Sequence, residues 1–328
     1  MTIHTASIKT LSQLCLSLLM LSAVPLQAAE KATTGTAERI PIADVHLHYN
    51  PSHAEVTDTE EALQQLYDNN VQFAVISSKP PSMALELVEA AGGWIIPFYM
   101  PYLEPDRKRD WYFDDRVLPA AREALASGVY RGLGEMHLIV GFAPSLKEPH
   151  PVIDGMLDLA REFDVPANIH AEASSHLYFQ PLCQRHPDVR IQWAHAGSPA
   201  RAHDVAMLLR ACPNVWVDMS ALDHMRYGKK NPIIDDDGYL LPAWLEFVTE
   251  FQDRIMIGAD PTYVEGNASW EVANSGWKYV TEVLDFHRRW LSALPEPIRK
   301  KIALENAVRF FGRDAEQAMR ARNSVKKN

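Results

Sequence analysis

Ala43-Asp44-Val45-His46-Leu47-His48 is the stretch on which the fold turns. It ends an apolar, strand-like run that begins at Ile40, and it carries two histidines at alternate positions. Positions i and i+2 of a strand face the same side, so both imidazoles can point into one space. Four later runs end in the same manner, at Gly134-Glu135, Ile169-His170, Ala194-His195 and Ala259-Asp260. Each of the five lies at or just past a short β-branched, apolar stretch and leads into a helix-like segment.

Outward from these ends, eight strand-like runs cover residues 40–45, 71–77, 94–100, 130–135, 165–170, 189–195, 215–219 and 255–259. Continuous apolar runs of this length suit strands buried on both faces of a parallel sheet. Helical patterns separate them at 60–69, 81–91, 116–127, 151–163, 202–211, 242–251 and 277–291. The second has Pro at its start and Gly92-Gly93 at its stop. Eight alternating units predict an α/β fold, a closed (β/α)₈ barrel in a single domain. Such a barrel gathers the C-terminal ends of its strands at one mouth, where residues distant in sequence meet. Long segments at 102–115, 221–241 and 261–276 would overhang that mouth and shape a pocket.

The residues at the strand ends are metal-ligand types. Four histidines (His46, His48, His170, His195) and two carboxylates (Glu135, Asp260) can hold one or two divalent ions. Asp260 can also take a proton from a bound water; its bland alternative is to cap the turn before Pro261. Glu135 can bridge two ions, or stand behind a ligand or against substrate. His137, read as a loop residue, is a weaker candidate. Asp218, near the end of the seventh strand, can touch a ligand histidine, the substrate, or simply a turn. Trp111, Tyr112, Tyr263 and Trp270 in the long loops can pack on an organic substrate, and Lys79, Arg226, Lys229 and Lys230 can meet an anionic group. Ordinary loop packing and solvation are the competing explanations for these eight.

The chain has 328 residues and a formal charge of −10. Lys9, an apolar stretch from Leu11 to Leu26 and Gln27-Ala28-Ala29 predict a secretory signal peptide over 1–29, with cleavage near Ala29 and a periplasmic or secreted product. Loss of that segment removes one basic residue and leaves −11. The acidity disfavours nucleic acid as a partner, and no membrane association is expected after cleavage. A small-molecule substrate is expected, and the oligomeric state stays open. Residues 30–39 read as a linker, 40–312 as the barrel and 313–328 as a polar tail. Cys183 and Cys212 end helices of consecutive units and can be neighbours at the barrel bottom; two buried free thiols are favoured over a disulfide.

Taken together, His46-x-His48, Ala194-His195-Ala196-Gly197, the run 213–218, Gly258-Ala259-Asp260-Pro261 and Asn306-Ala307-Val308-Arg309-Phe310-Phe311 resemble the amidohydrolase superfamily, in its amidohydrolase-related branch. The resemblance implies a TIM barrel in which His46, His48 and Asp260 hold one metal, His170 and Glu135 can join it, and His195 serves a second metal or the substrate. Glu135 stands where some members carry a carboxylated lysine or a bridging glutamate. It implies Zn²⁺, or Mn²⁺ in its place, and a catalytic pair of Asp260 and His195. The ion lowers the pKa of its water, Asp260 accepts the proton, and an ester, lactone, amide or related bond in a small organic molecule is cleaved. The alternatives are a one-metal decarboxylase or hydratase of the same superfamily, a non-catalytic metal-binding barrel and, against the charge, a nuclease.

Overall fold

The computed structural model describes residues 39–104, 107–262 and 273–325. The predicted signal peptide, nearly all of the linker, and Tyr263 and Trp270 lie outside the described residues.

All eight predicted strands form. They are β1 (Ile42–His48), β2 (Val71–Ser77), β3 (Ile95–Phe98), β4 (Leu133–His137), β5 (Ala167–His170), β6 (Ile191–Trp193), β7 (Val215–Asp218) and β8 (Ile255–Met256). Every ladder is parallel, in a three-stranded sheet β1-β2-β3 and a five-stranded sheet β4 to β8. Backbone hydrogen bonds join the two at both seams. Between β3 and β4, Tyr99 N–H donates to Gly132 O and Gly134 N–H to Tyr99 O, both at 2.9 Å. Between β8 and β1, Val45 N–H donates to Ile257 O at 3.0 Å and Asp260 N–H to His46 O at 2.7 Å. The eight strands therefore complete one ring, the (β/α)₈ barrel expected from the sequence.

The helices are α1 (Pro51–Ala54), α2 (Thr59–Asp68), α3 (Ser82–Ala90), α4 (Val117–Ala126), α5 (Pro151–Glu162), α6 (Gln180–Arg185), α7 (Ala202–Ala211), α8 (Pro242–Glu250), α9 (Val280–Ser292), α10 (Glu296–Lys300), α11 (Asn306–Phe311) and α12 (Arg313–Val325). Local chemistry sets their ends. Asp58 caps α2 by accepting from Glu61 N–H at 2.8 Å, and α5 and α8 begin on Pro151 and Pro242.

Two expectations are corrected here. Residues 313–325, read as a polar tail, form α12. Its Ala315, Ala318 and Arg322 are buried, and with Phe310 and Phe311 its alanines cover Ala43, Val45, Phe73 and Phe98 of the barrel. The Arg322 guanidinium lies over the rings of Tyr67 and Trp94, 4.5 and 5.6 Å from their centroids. Cys183 and Cys212, expected as free thiols, are joined in a disulfide, their Cα atoms 6.1 Å apart. Cys183 lies in α6 and Cys212 follows α7, so packing of consecutive units brings the thiols together.

Candidate metal centre

The strand ends converge as the sequence predicts. β1 delivers His46 and His48, β4 delivers Glu135, β5 ends on His170, and the turns after β6 and β8 deliver His195 and Asp260. All six side chains are buried. His195 and Asp260 adopt left-handed backbone conformations, with φ of 56° and 43°. For a residue with a Cβ this costs about 1–2 kcal/mol. At Asp260 the N–H bond to His46 O offsets part of that cost. Gly258 permits the close approach of β8 to β1, since a Cβ there would stand 2.7 Å from His46 Cβ.

The imidazoles are oriented from behind. His46 Nδ1 lies 3.2 Å from Asp218 Oδ2 and His48 Nδ1 lies 3.0 Å from Ser77 O. Acceptors at both Nδ1 atoms favour a proton there, which leaves the two Nε2 lone pairs facing each other at 3.2 Å. A cation resolves that opposition. The same device holds His195. Ser220 Oγ donates to Asp218 Oδ1, so it accepts from His195 Nδ1–H at 2.9 Å, and His195 Nε2 faces Glu135 Oε1 at 3.2 Å.

Glu135 stands in the middle. Its Oε1 is 2.8 Å from His170 Nδ1, 3.2 Å from His195 Nε2 and 3.7 Å from His46 Nε2. Its Oε2 is 3.3 Å from His48 Nε2 and 3.5 Å from His137 Nε2. Asp260 reaches His48 Nε2 at 3.5 Å through Oδ1 and His195 Nε2 at 3.9 Å through Oδ2. Tetrahedral zinc with bonds of 2.0–2.2 Å separates neighbouring donor atoms by about 3.3–3.6 Å. Most of these spacings lie at or near that edge length, and the nitrogen and oxygen donors suit Zn²⁺. His170 is the exception, bonded directly to Glu135 and also 3.4 Å from Glu172 Oε2.

The electrostatics follow. Burial alone would raise Glu135, but His137, His170 and His46 hold its carboxyl well below the usual range. Burial likewise opposes ionisation of Asp218, and His46, His195 and the Ser220 hydroxyl overcome it. Asp260, buried too, is held down chiefly by the Arg226 guanidinium and His195.

A cavity of about 580 Å³ opens over the cluster. Of the loop residues marked in the sequence, Arg226 and Lys230 line it, while Lys79 and Lys229 do not, among the described residues. Arg226 does not offer a spare charge to an anion. It donates to Asp223 Oδ2 at 2.6 Å and Ala259 O at 2.7 Å, and its Nη1 is 3.2 Å from Asp260 Oδ2. Its work is to hold Asp260. For Trp111 and Tyr112 the ordinary-packing alternative holds: both are buried in the core, Trp111 Nε1 donating to His137 O at 2.9 Å. The cavity wall instead includes Tyr227 and Lys108, which the sequence reading passed over. Desolvation pushes the Lys108 ammonium down to about 8. The Arg107-Lys108-Arg109 cluster was the only signal for it.

The family model described as amidohydrolase matches residues 43–313, over four fifths of the chain. The chain belongs to the amidohydrolase family. No curated protein matches it significantly. Among solved structures it is similar to a zinc-bound amidohydrolase from Burkholderia multivorans, at 15% identity and TM-score 0.50 over 83% of this chain and 99% of that one. A probable 2-pyrone-4,6-dicarboxylic acid hydrolase from Acinetobacter baumannii with citric acid bound is similar at 12% identity and TM-score 0.51, over 83% of this chain and 100% of that one. A dihydroorotase from Campylobacter jejuni follows at 13% identity and TM-score 0.50, with 82% of each chain covered. At these identities the neighbours speak for the barrel alone. Family membership and the clustered His, Glu and Asp donors make this amidohydrolase a metal-dependent hydrolase.

Proposed function

We propose that this amidohydrolase is an exported hydrolase that holds two divalent ions, zinc in the first instance, across Glu135 and cleaves an ester, lactone, amide or related bond in a small organic substrate. The observation that carries it is the placement of Glu135, whose Oε1 faces His170, His195 and His46 and whose Oε2 faces His48 and His137. His46, His48 and Asp260 would hold one ion, His170 and His195 the other. When bound, such ions lower the pKa of water to about 7 and polarise the bond to be broken.

The chain's own groups do the rest. Asp260 Oδ1 and Oδ2 face His48 and His195, so the carboxylate is placed to accept the proton of the attacking water and return it to the leaving group. Arg226 keeps that carboxylate ionised and aimed. Tyr227, 5.7 Å from the His195 ring, and Lys108 shape the wall against which a substrate rests. The expected signal peptide and the Cys183–Cys212 disulfide support export to an oxidising compartment. The charge supports a small-molecule substrate over nucleic acid.

The test is turnover of a panel of esters, lactones and amides in H₂¹⁸O with added Zn²⁺. One ¹⁸O in the product acid is expected. Release of CO₂ from a carboxylated substrate without such incorporation would place the enzyme among lyases instead.

A further inference from the structure

His137 is not a loop residue. It is the last residue of β4, in register with His170, the last residue of β5. It stands two positions beyond Glu135, so β4 repeats on its inner face the i, i+2 arrangement that β1 uses for His46 and His48. Its side chain is buried and stacks on His170 with centroids 4.4 Å apart.

Tyr102 fixes the orientation of this ring. The Tyr102 hydroxyl is 2.9 Å from Glu135 O, 3.0 Å from His137 N and 2.5 Å from His137 Nδ1. A hydroxyl has one proton to give, and of these three atoms the backbone carbonyl can only accept. With that proton on Glu135 O, the oxygen accepts from His137 N–H and from Nδ1–H. The tautomer so selected carries its proton on the outer nitrogen and turns Nε2 toward Glu135 Oε2 at 3.5 Å. This is the relation that Asp218, Ser77 and Ser220 impose on His46, His48 and His195.

We propose that His137 is a further metal ligand, joining His48 on the Oε2 side of Glu135, and that Tyr102 is its positioning residue. The inference rests on the two-ion reading of the site. It adds a fifth imidazole on β4, so each Glu135 oxygen is flanked by more than one nitrogen donor.

The experiment measures zinc content and zinc affinity of the full chain by elemental analysis and chelator competition, and Co²⁺ absorption, for wild type, His137→Ala, His137→Gln and Tyr102→Phe. His137→Ala and His137→Gln are expected to lose one zinc equivalent or bind it at least about 100-fold more weakly, with altered Co²⁺ bands. Tyr102→Phe is expected to weaken the same ion about 10-fold. If a His137 variant does not fold, Tyr102→Phe alone decides. Zinc content, affinity and Co²⁺ bands unchanged in every folded variant would overturn the role of His137 while leaving the two-ion site standing. A wild type that binds no zinc would overturn both.

Discussion

Asp218 Oδ2 lies 3.2 Å from Nδ1 of His46, with both side chains fully buried. The same carboxylate accepts from Gln192 Nε2 at 2.7 Å, from His195 N–H at 3.2 Å and from the Ser220 hydroxyl. One aspartate on β7 thereby orients the first histidine of β1 and, through Ser220, the histidine after β6.

Asp218→Asn replaces an acceptor of the His46 proton with an amide that can also donate. Metal affinity is expected to fall 10–100-fold with the fold intact, as read by chelator competition against wild type. An unchanged affinity would show that His46 needs no such partner.

Asp260→Asn removes the proposed proton acceptor. A positioned general base contributes roughly 10²–10⁴ in rate, so kcat is expected to drop by that order. Arg226→Met, which leaves Asp260 in place but loosens it, should lower kcat less. Equal losses in steady-state kinetics would mean that Arg226 does more than hold Asp260.

His287 gives a pH signature. Its Nε2–H donates to Gly258 O at 3.1 Å, and Trp290 Nε1–H donates to its Nδ1 at 3.3 Å. The neutral ring is satisfied at both nitrogens, and a second proton has no acceptor there. Burial pushes the group from 6.5 down to about 4. Because the folded pKa is depressed, the unfolded chain binds the proton more tightly. Its contribution is complete above pH 6.5 and is lost as pH falls toward 4, for a total of roughly 3 kcal/mol. Urea unfolding at pH 7 and pH 4.5 should show a smaller difference in His287→Gln than in wild type.

The Cys183–Cys212 bridge spans 29 residues. On chain entropy, Cys183→Ser/Cys212→Ser should cost about 3–4 kcal/mol without changing metal content, since the bridge involves none of the proposed ligands. Denaturant midpoints with and without reductant measure the first, elemental analysis the second.

The barrel was legible because each of its strands is a nearly continuous apolar run, and burial on both faces leaves that pattern in the sequence. The gathering of His46, His48, Glu135, His170, His195 and Asp260 in one cluster was legible because strand ends share one mouth. His137 was placed in a loop, and so ranked as a weaker candidate, because the charge of Glu135 looks like the end of a strand. Among imidazoles that charge is satisfied inside the barrel, and β4 runs on to His137. Residues 313–325 look polar by composition, yet Ala315, Ala318 and Arg322 recur at helical spacing and form one buried face. Arg226 seemed available to an anion because its partners Asp260 and Ala259 lie more than thirty residues away. The disulfide depends on the packing of α6 against α7, which no spacing in the sequence reports.

Metal per chain, measured by elemental analysis on protein purified without chelator, tests the central claim most directly when wild type is set beside Glu135→Ala. Two ions across one carboxylate predict a value near two that falls toward one in the variant. No retained metal, and none regained on adding Zn²⁺ or Mn²⁺, would contradict the ligand cluster itself; a single ion indifferent to the substitution would contradict the bridge.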